Sequence, residues 1–312
     1  MQHREGIFKG AGELELYYQC WRPSDQRRAI LIIVHGLGGH SGLFNNLVDC
    51  LVPQGFEIYG FDLRGHGRSP GQRGHLNAWA EFREDLRRFI HWVDAHTPSL
   101  PCFLLGHSLG GAIALDYSLH FPNGLQGVIA TAPAVGKVGV SPIRMVIGRI
   151  LSCLWPSFSL DTGIAQGACS RDPAVVEAYA QDPLRHTKGS ARLVTEFLTT
   201  TAWIQSHIAN LQTPVLILHG GADQVTSSEG SCAFFQQITL SDKERREYPE
   251  SYHELHNDLN HQEVLADLSN WLERHLQTGY VVNSKQLDWT SDEQSETRGL
   301  EPSIDWVLAS DS

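Results

Sequence analysis

Gly106-His107-Ser108-Leu109-Gly110, followed by Gly111, is the stretch of this chain best suited to chemistry. A serine flanked by glycines at this spacing fits a nucleophile held on a sharp turn, where bulkier neighbours would collide with the adjacent backbone. Alone the pattern is weak, since an incidental Gly/Ser turn reads the same way. Its surroundings strengthen it. Residues 101–105 are apolar and strand-like, and 109–121 carry a helical pattern, so the serine stands where a strand passes into a helix.

A serine hydroxyl needs a base to take its proton and an acid to orient that base. Behind such a turn the partners follow in chain order, acid first and base second. Asp223 lies beyond an apolar run at 214–219 and Gly220-Gly221-Ala222, on a loop at the run's C-terminal end. The plainer alternative is a cap for a helix near Ser227. Among sixteen histidines, His253, His256 and His261 fall between the last strand-like stretch and the last helix. His253 follows the strand soonest and is favoured as the base, while His256 and His261 read as solvated or capping residues. The developing oxyanion requires two backbone N–H donors. Leu109, directly after the nucleophile, is one. Leu37, in His35-Gly36-Leu37-Gly38-Gly39 after an early strand, is the other, unless that stretch is an ordinary glycine turn.

Several elements must position these residues. Strand-like runs recur at 13–21, 28–34, 57–61, 101–106, 127–131 and 214–219, with helical patterns at 43–54, 78–96 and 109–121 between them. The first of these runs alternates as strands do, while 28–34 ends in an unbroken apolar run, as in a parallel sheet covered on both faces, and similar runs recur after it. Alternating strand and helix predict a doubly wound α/β sheet. Residues 133–206 hold no convincing strand but do hold helix-like stretches at 143–155, 172–180 and 190–204. They read as a helical cap inserted into a core made of 1–132 and 207–277, over the strand ends where ligands bind. A strand at 245–248 and a helix at 262–277 close the core. Residues 278–312 carry Lys285 and Arg298 against seven acidic side chains, with no period, and read as a disordered tail.

Composition narrows the function classes. The 312 residues are 41% hydrophobic and 19% charged, with a formal charge of −11. That is a globular protein, and the charge argues against nucleic acid. Six scattered cysteines, without Cys-x-x-Cys or metal-ligand spacing, read as thiols of a reducing compartment. No signal-peptide pattern and no apolar run of spanning length is visible. A cytoplasmic protein that can lie peripherally on a membrane is expected; its oligomeric state is left open.

At the level of motifs, the chain resembles the monoacylglycerol lipase and lysophospholipase family of α/β-hydrolase-fold serine hydrolases. The resemblance lies in His35-Gly36-Leu37-Gly38-Gly39-His40-Ser41-Gly42, Asp62-Leu63-Arg64-Gly65-His66-Gly67-Arg68-Ser69 and Gly106-His107-Ser108-Leu109-Gly110-Gly111. It extends to Ser170-Arg171-Asp172-Pro173, Asp182-Pro183-Leu184, Gly220-Gly221-Ala222-Asp223 and Tyr252-His253-Glu254-Leu255-His256, in the family's order. It implies the α/β-hydrolase fold with a helical cap after the sixth strand and an acyl-binding channel beneath it. It also implies Ser108, Asp223 and His253 as triad and Leu37 and Leu109 as oxyanion donors. The implied activity is cleavage of a single-chain lipid ester through an acyl-enzyme, with no cofactor and no metal. One departure stands out: Gly39 and Leu43 occupy places where glycerol-ester members often carry Glu and Arg. Asp62, at a strand end near the site, is expected to hold its turn by side-chain hydrogen bonds. Rivals sharing the triad are a short-chain carboxylesterase, a peptidase and a haloperoxidase, and outside catalysis a hydrolase-fold binding protein.

Overall fold

The computed structural model describes residues 1–136 and 142–277. In chain order the strands and helices are β1 (Gln2–Lys9), β2 (Glu15–Arg22), β3 (Ala29–Val34), α1 (Asn45–Leu51), β4 (Phe56–Phe61), α2 (Ala80–His96), β5 (Cys102–His107), α3 (Leu109–His120) and β6 (Gly127–Thr131). They continue with α4 (Pro142–Leu154), β7 (Ser159–Asp161), α5 (Pro173–Gln181), β8 (Lys188–Ser190), α6 (Ala191–His207), β9 (Val215–Gly220), α7 (Ser228–Gln237), β10 (Lys243–Tyr248) and α8 (His261–Gln277). Eight strands form one sheet in the order β1-β2-β4-β3-β5-β6-β9-β10. All neighbours from β4 to β10 are parallel; β2 runs antiparallel to both β1 and β4.

The unbroken apolar runs are explained by cover on both faces. Along β3, Ile30, Ile32 and Val34 pack with Phe82, Leu86 and Phe89 of α2 and Ile113 and Leu115 of α3. Their neighbours Leu31 and Ile33 face the other way, into a second core with Leu47 and Val48 of α1 and Leu268 and Trp271 of α8. The two edge strands differ. β1 buries Phe8 alone, and β10 is mostly charged. Polar edges discourage strand addition by another chain.

Two expectations are corrected here. The strand-like runs expected from the sequence begin at residue 13, yet Gln2–Lys9 pairs along its whole length with β2, Gln2 opposite Arg22 and Lys9 opposite Glu15. A strand exposed on one face at a sheet edge leaves almost no apolar signal. The segment between β6 and β9 also contains strands: Ser159–Asp161 pairs antiparallel with Lys188–Ser190. Three residues are too few to show alternation. The helix-like stretches expected in that segment appear as α4, α5 and α6, each within a few residues of its expected bounds. The acidic stretch 278–312 lies outside the described residues. Among those described, no helix is long and apolar enough to cross a membrane.

Candidate active site

Ser108 sits between the last residue of β5 and the first of α3, at φ 55° and ψ −115°. That strained backbone is rare for a residue with a side chain and is stored where neighbours over-determine it. Here its N–H donates to Thr131 O (3.0 Å), and its carbonyl accepts from Gly111 N (3.0 Å) and Ala134 N (3.1 Å). The flanking glycines are a packing requirement. A Cβ at Gly106 would strike the Gly110 carbonyl, and one at Gly110 would strike the Val34 carbonyl at the end of β3.

Asp223 follows β9, and its side chain is wholly buried. Oδ1 accepts from Val225 N (2.7 Å) and Thr226 N (3.0 Å), which closes the loop on itself. Oδ2 accepts from His253 Nδ1 (2.8 Å), Thr226 Oγ1 (2.9 Å) and His219 Nε2 (3.2 Å). Burial works to raise this carboxyl's pKa, but the bonds from His219 and His253 and the nearby His253 charge overcome it and hold Asp223 well below the usual carboxylate range. The helix after this loop is capped by Ser227, whose hydroxyl accepts from Gly230 N, so Asp223 is not its cap.

His253 stands on the loop between β10 and α8, and Nδ1 is the nitrogen aimed at Asp223. With the proton on Nδ1, Nε2 is left with a free lone pair, which is the form a general base requires. Two more imidazoles surround it. The His107 ring centroid lies 4.8 Å from that of His253 and 5.3 Å from that of His256. His256 was expected to be a solvated or capping residue; it is buried and stacked on Phe44 at 4.4 Å. Burial drives its pKa down to about 4 and that of His107 well below the ordinary value, so both are neutral near pH 7. His261 opens α8, with Nδ1 2.9 Å from Asp258 O, apart from the cavity.

Ser108, His253, Leu37, His107 and His256 line one cavity of about 250 Å³. Leu109 N–H belongs to the first turn of α3, whose donors have no partner within the helix. The loop carrying Leu37 turns through Gly38 at φ 72°, and Gly38 O accepts from His186 N at 3.1 Å. Asp62 lies aside, with Oδ1 accepting from Ser41 N (2.7 Å) and Oδ2 from Arg68 N (2.8 Å), as a turn-holding residue does.

Sequence reasoning missed the wall opposite the sheet ends. Cys169, Tyr179, Asp182, Arg185 and His186 all reach the cavity from the segment between β6 and β9, and Glu254 joins them. Arg171 fastens that segment to the His253 loop: Arg171 N donates to Asp258 Oδ1 (2.8 Å) and Nε to Oδ2 (2.9 Å). Glu254 N donates to Cys169 O at 2.8 Å. His219 and Thr226 around Asp223 were missed too. The wall residues from the segment between β6 and β9 lie far in the chain from the residues they face, and although His219 and Thr226 are only four and three residues from Asp223, no local pattern announces them.

The chain is similar to known proteins over most of its length. The family model Hydrolase_4, described as serine aminopeptidase S33, matches residues 25–260. A monoacylglycerol lipase of Mycolicibacterium smegmatis is 32% identical over 274 residues, 87% of this chain and 98% of that protein. The phospholipase YtpA of Bacillus subtilis is 28% identical over 249 residues, 78% of this chain and 94% of that protein. The crystal structure of Paleococcus ferrophilus monoacylglycerol lipase superposes with a TM-score of 0.77 at 32% identity, covering 84% of this chain and all of that one. With a family model matched over most of its length and a relative 32% identical across nearly its whole length, the chain belongs to the Hydrolase_4, serine aminopeptidase S33, family of α/β hydrolases.

Proposed function

We propose that Ser108, His253 and Asp223 form the triad of an esterase acting on single-chain lipids, either monoacylglycerol or lysophospholipid. The chain is a carboxylic ester hydrolase of the monoacylglycerol lipase type. The observation that carries the triad is one cavity lined by both Ser108 and His253, with His253 Nδ1 2.8 Å from a buried carboxylate.

In this mechanism His253 Nε2 takes the Ser108 proton as Oγ attacks the ester carbonyl carbon. The carbonyl oxygen becomes an oxyanion held by the N–H groups of Leu37 and Leu109, with the N-terminal end of α3 behind it. As the tetrahedral intermediate collapses, the C–O bond to the alcohol breaks and His253 returns the proton to the leaving oxygen. Water then attacks the acyl-enzyme with His253 again as base, releasing the fatty acid and restoring Ser108. Asp223 keeps the imidazole oriented and stabilises its charged form.

The segment 133–206 acts in this reading as a cap over the site. Its helix α4 exposes Val146, Ile147, Ile150 and Leu154, between 54% and 79% of each, with Trp155 next to them. Ile147, Ile150 and Leu154 recur at helical spacing on one face. That face is proposed to rest on a lipid surface, from which substrate enters. The six cysteines are unpaired, which supports a reducing, cytoplasmic setting.

The test is hydrolysis of a panel of monoacylglycerols and lysophospholipids by the purified protein and by Ser108→Ala. Turnover of these esters that vanishes in the variant is expected. Equal turnover by both proteins would remove the reading.

A further inference from the structure

Asp223 meets two imidazoles, and the triad uses only one of them. The other, His219, is next to last in β9 and has no exposed side-chain surface. Its Nε2 lies 3.2 Å from Asp223 Oδ2, the oxygen that also accepts from His253 Nδ1 at 2.8 Å. The same nitrogen is 3.3 Å from the carbonyl oxygen of Thr226 and 3.3 Å from its hydroxyl. Nδ1 has no hydrogen-bond partner among the described residues and is sealed from solvent.

That contrast fixes the tautomer. With the proton on Nε2, the N–H faces a carboxylate and Nδ1 keeps only a bare lone pair. The other tautomer would bury an N–H without an acceptor and set a lone pair against Asp223 Oδ2. His219 is therefore a donor to the oxygen that orients the base. Packing alone does not call for an imidazole here. The preceding residues of β9, Val215 to Leu218, are apolar and buried, and an apolar side chain at 219 would leave no nitrogen unpaired.

Asp223 Oδ1 is pinned by the N–H groups of Val225 and Thr226, so the carboxylate has little freedom to swing. What a further donor on Oδ2 changes is charge. Each N–H bonded to this oxygen takes a share of the negative charge that stabilises the His253 imidazolium.

We infer that His219 is a positioning residue of the triad: its Nε2–H bond to Asp223 Oδ2 tempers the carboxylate and loosens the hold of His253 on the proton taken from Ser108. A base that held this proton too tightly would stay protonated and idle near neutral pH. The inference rests on the triad reading and adds to it a residue that is not part of the cavity wall. Other titratable groups surround the pair. Glu247 stands opposite His219 in the register of β10, and Glu229 of α7 lies within electrostatic reach. His107, His256 and Cys169 lie on the side of His253 and Asp223. All of them are unchanged in the variants below, so a displaced profile reports His219.

The experiment is the pH profile of kcat/KM for p-nitrophenyl butyrate, whose acid limb reports the base of the free enzyme. It compares the parent with His219→Leu, which removes the donor, and His219→Gln, whose amide nitrogen takes the place of Nε2. His219→Asn, with an amide that stops at the place of Nδ1, replaces the leucine variant if that one fails to fold. In His219→Leu or His219→Asn the acid limb should move to higher pH by about 0.5 or more, the part of a charged hydrogen bond passed on to His253. His219→Gln should return it to the parent's position. An unmoved limb in the variants without the donor means that His219 only packs, and overturns the inference. So does a limb displaced equally in His219→Gln, or one displaced to lower pH. Failure of the triad reading looks different, since Ser108→Ala or His253→Ala would then hydrolyse the ester as fast as the parent.

Discussion

The floor of the cavity and its roof are built by different means. The floor stands at the C-terminal ends of the strands and is held by main-chain bonds: Ser108 N to Thr131 O, Gly221 N to Tyr248 O, Ala222 N to Ser251 O. The roof, carried by the segment between β6 and β9, adds to a few main-chain bonds, such as Glu254 N to Cys169 O and His186 N to Gly38 O, a set of side-chain ties that includes Arg171 on Asp258 and His40 on Asp182. Elsewhere the same segment turns apolar side chains of α4 outward. The floor's geometry therefore comes with the sheet. The roof's geometry hangs on a few side chains, so single substitutions should alter it without unfolding the core.

The largest effects should come from the floor. Ser108→Ala, His253→Ala and Asp223→Asn should each reduce kcat on a soluble ester by about 10⁴-fold. His256→Ala should keep far more activity than His253→Ala. If the ranking reverses, His256 is the base and the floor must be redrawn.

A roof substitution should act on stability first. Arg171→Ala strips the guanidinium from Asp258, whose side chain is wholly buried. Breaking such a pair from one side should cost about 3 kcal/mol, read from urea unfolding. A change below about 1 kcal/mol, within the range of an exposed pair, would show that the roof is not fastened there.

Acid should find the floor next. Burial pushes His35 down to about 3 and His256 to about 4. An unfolded histidine titrates near pH 6.5. As pH falls from about 6.5 to 4, the unfolded chain therefore binds protons that the native state refuses, and stability falls with it. The depressed Asp223 has the same sign at lower pH: its contribution is full above the unfolded carboxyl's range and is lost as pH drops through the native one. Tm should decline between pH 7 and 4.5, by about 2–4 °C for each kcal/mol lost. A flat profile would mean that these imidazoles admit water.

The smallest change belongs to the outer face of α4. Replacing Ile147, Ile150 and Leu154 together with Ser should weaken vesicle binding and slow long-chain ester hydrolysis by about tenfold, the worth of a few partly buried apolar side chains. Turnover of a soluble short-chain ester should move much less. Equal slowing of both would tie this face to the floor and erase the contrast.

Most of the floor was legible in the sequence for the same reason that it is rigid. A nucleophile turn needs glycines at fixed offsets, a strand covered on both faces needs an unbroken apolar run, and acid and base follow in chain order. The first two demands are local and leave local traces, at Gly106–Gly110 and at 214–219, and the third is a matter of order along the chain, which picks out Asp223 after its strand. His256 shows the limit. Its place in the chain suggested solvent, whereas Phe44, from the other end of the chain, buries it. The edge strand Gln2–Lys9 was lost because it buries little.

The sequence by itself determined the layered α/β sheet, the serine turn and the candidate partners Asp223 and His253, because backbone geometry dictates residue type at those points. Only the tertiary structure decided what faces them. Arg171 and Asp258, or Arg185 and Glu254, stand 87 and 69 residues apart. Their meeting depends on how a segment of some seventy residues folds back over the strand ends. Charged residues are common on any surface, and nothing in their own neighbourhoods marks these four as partners.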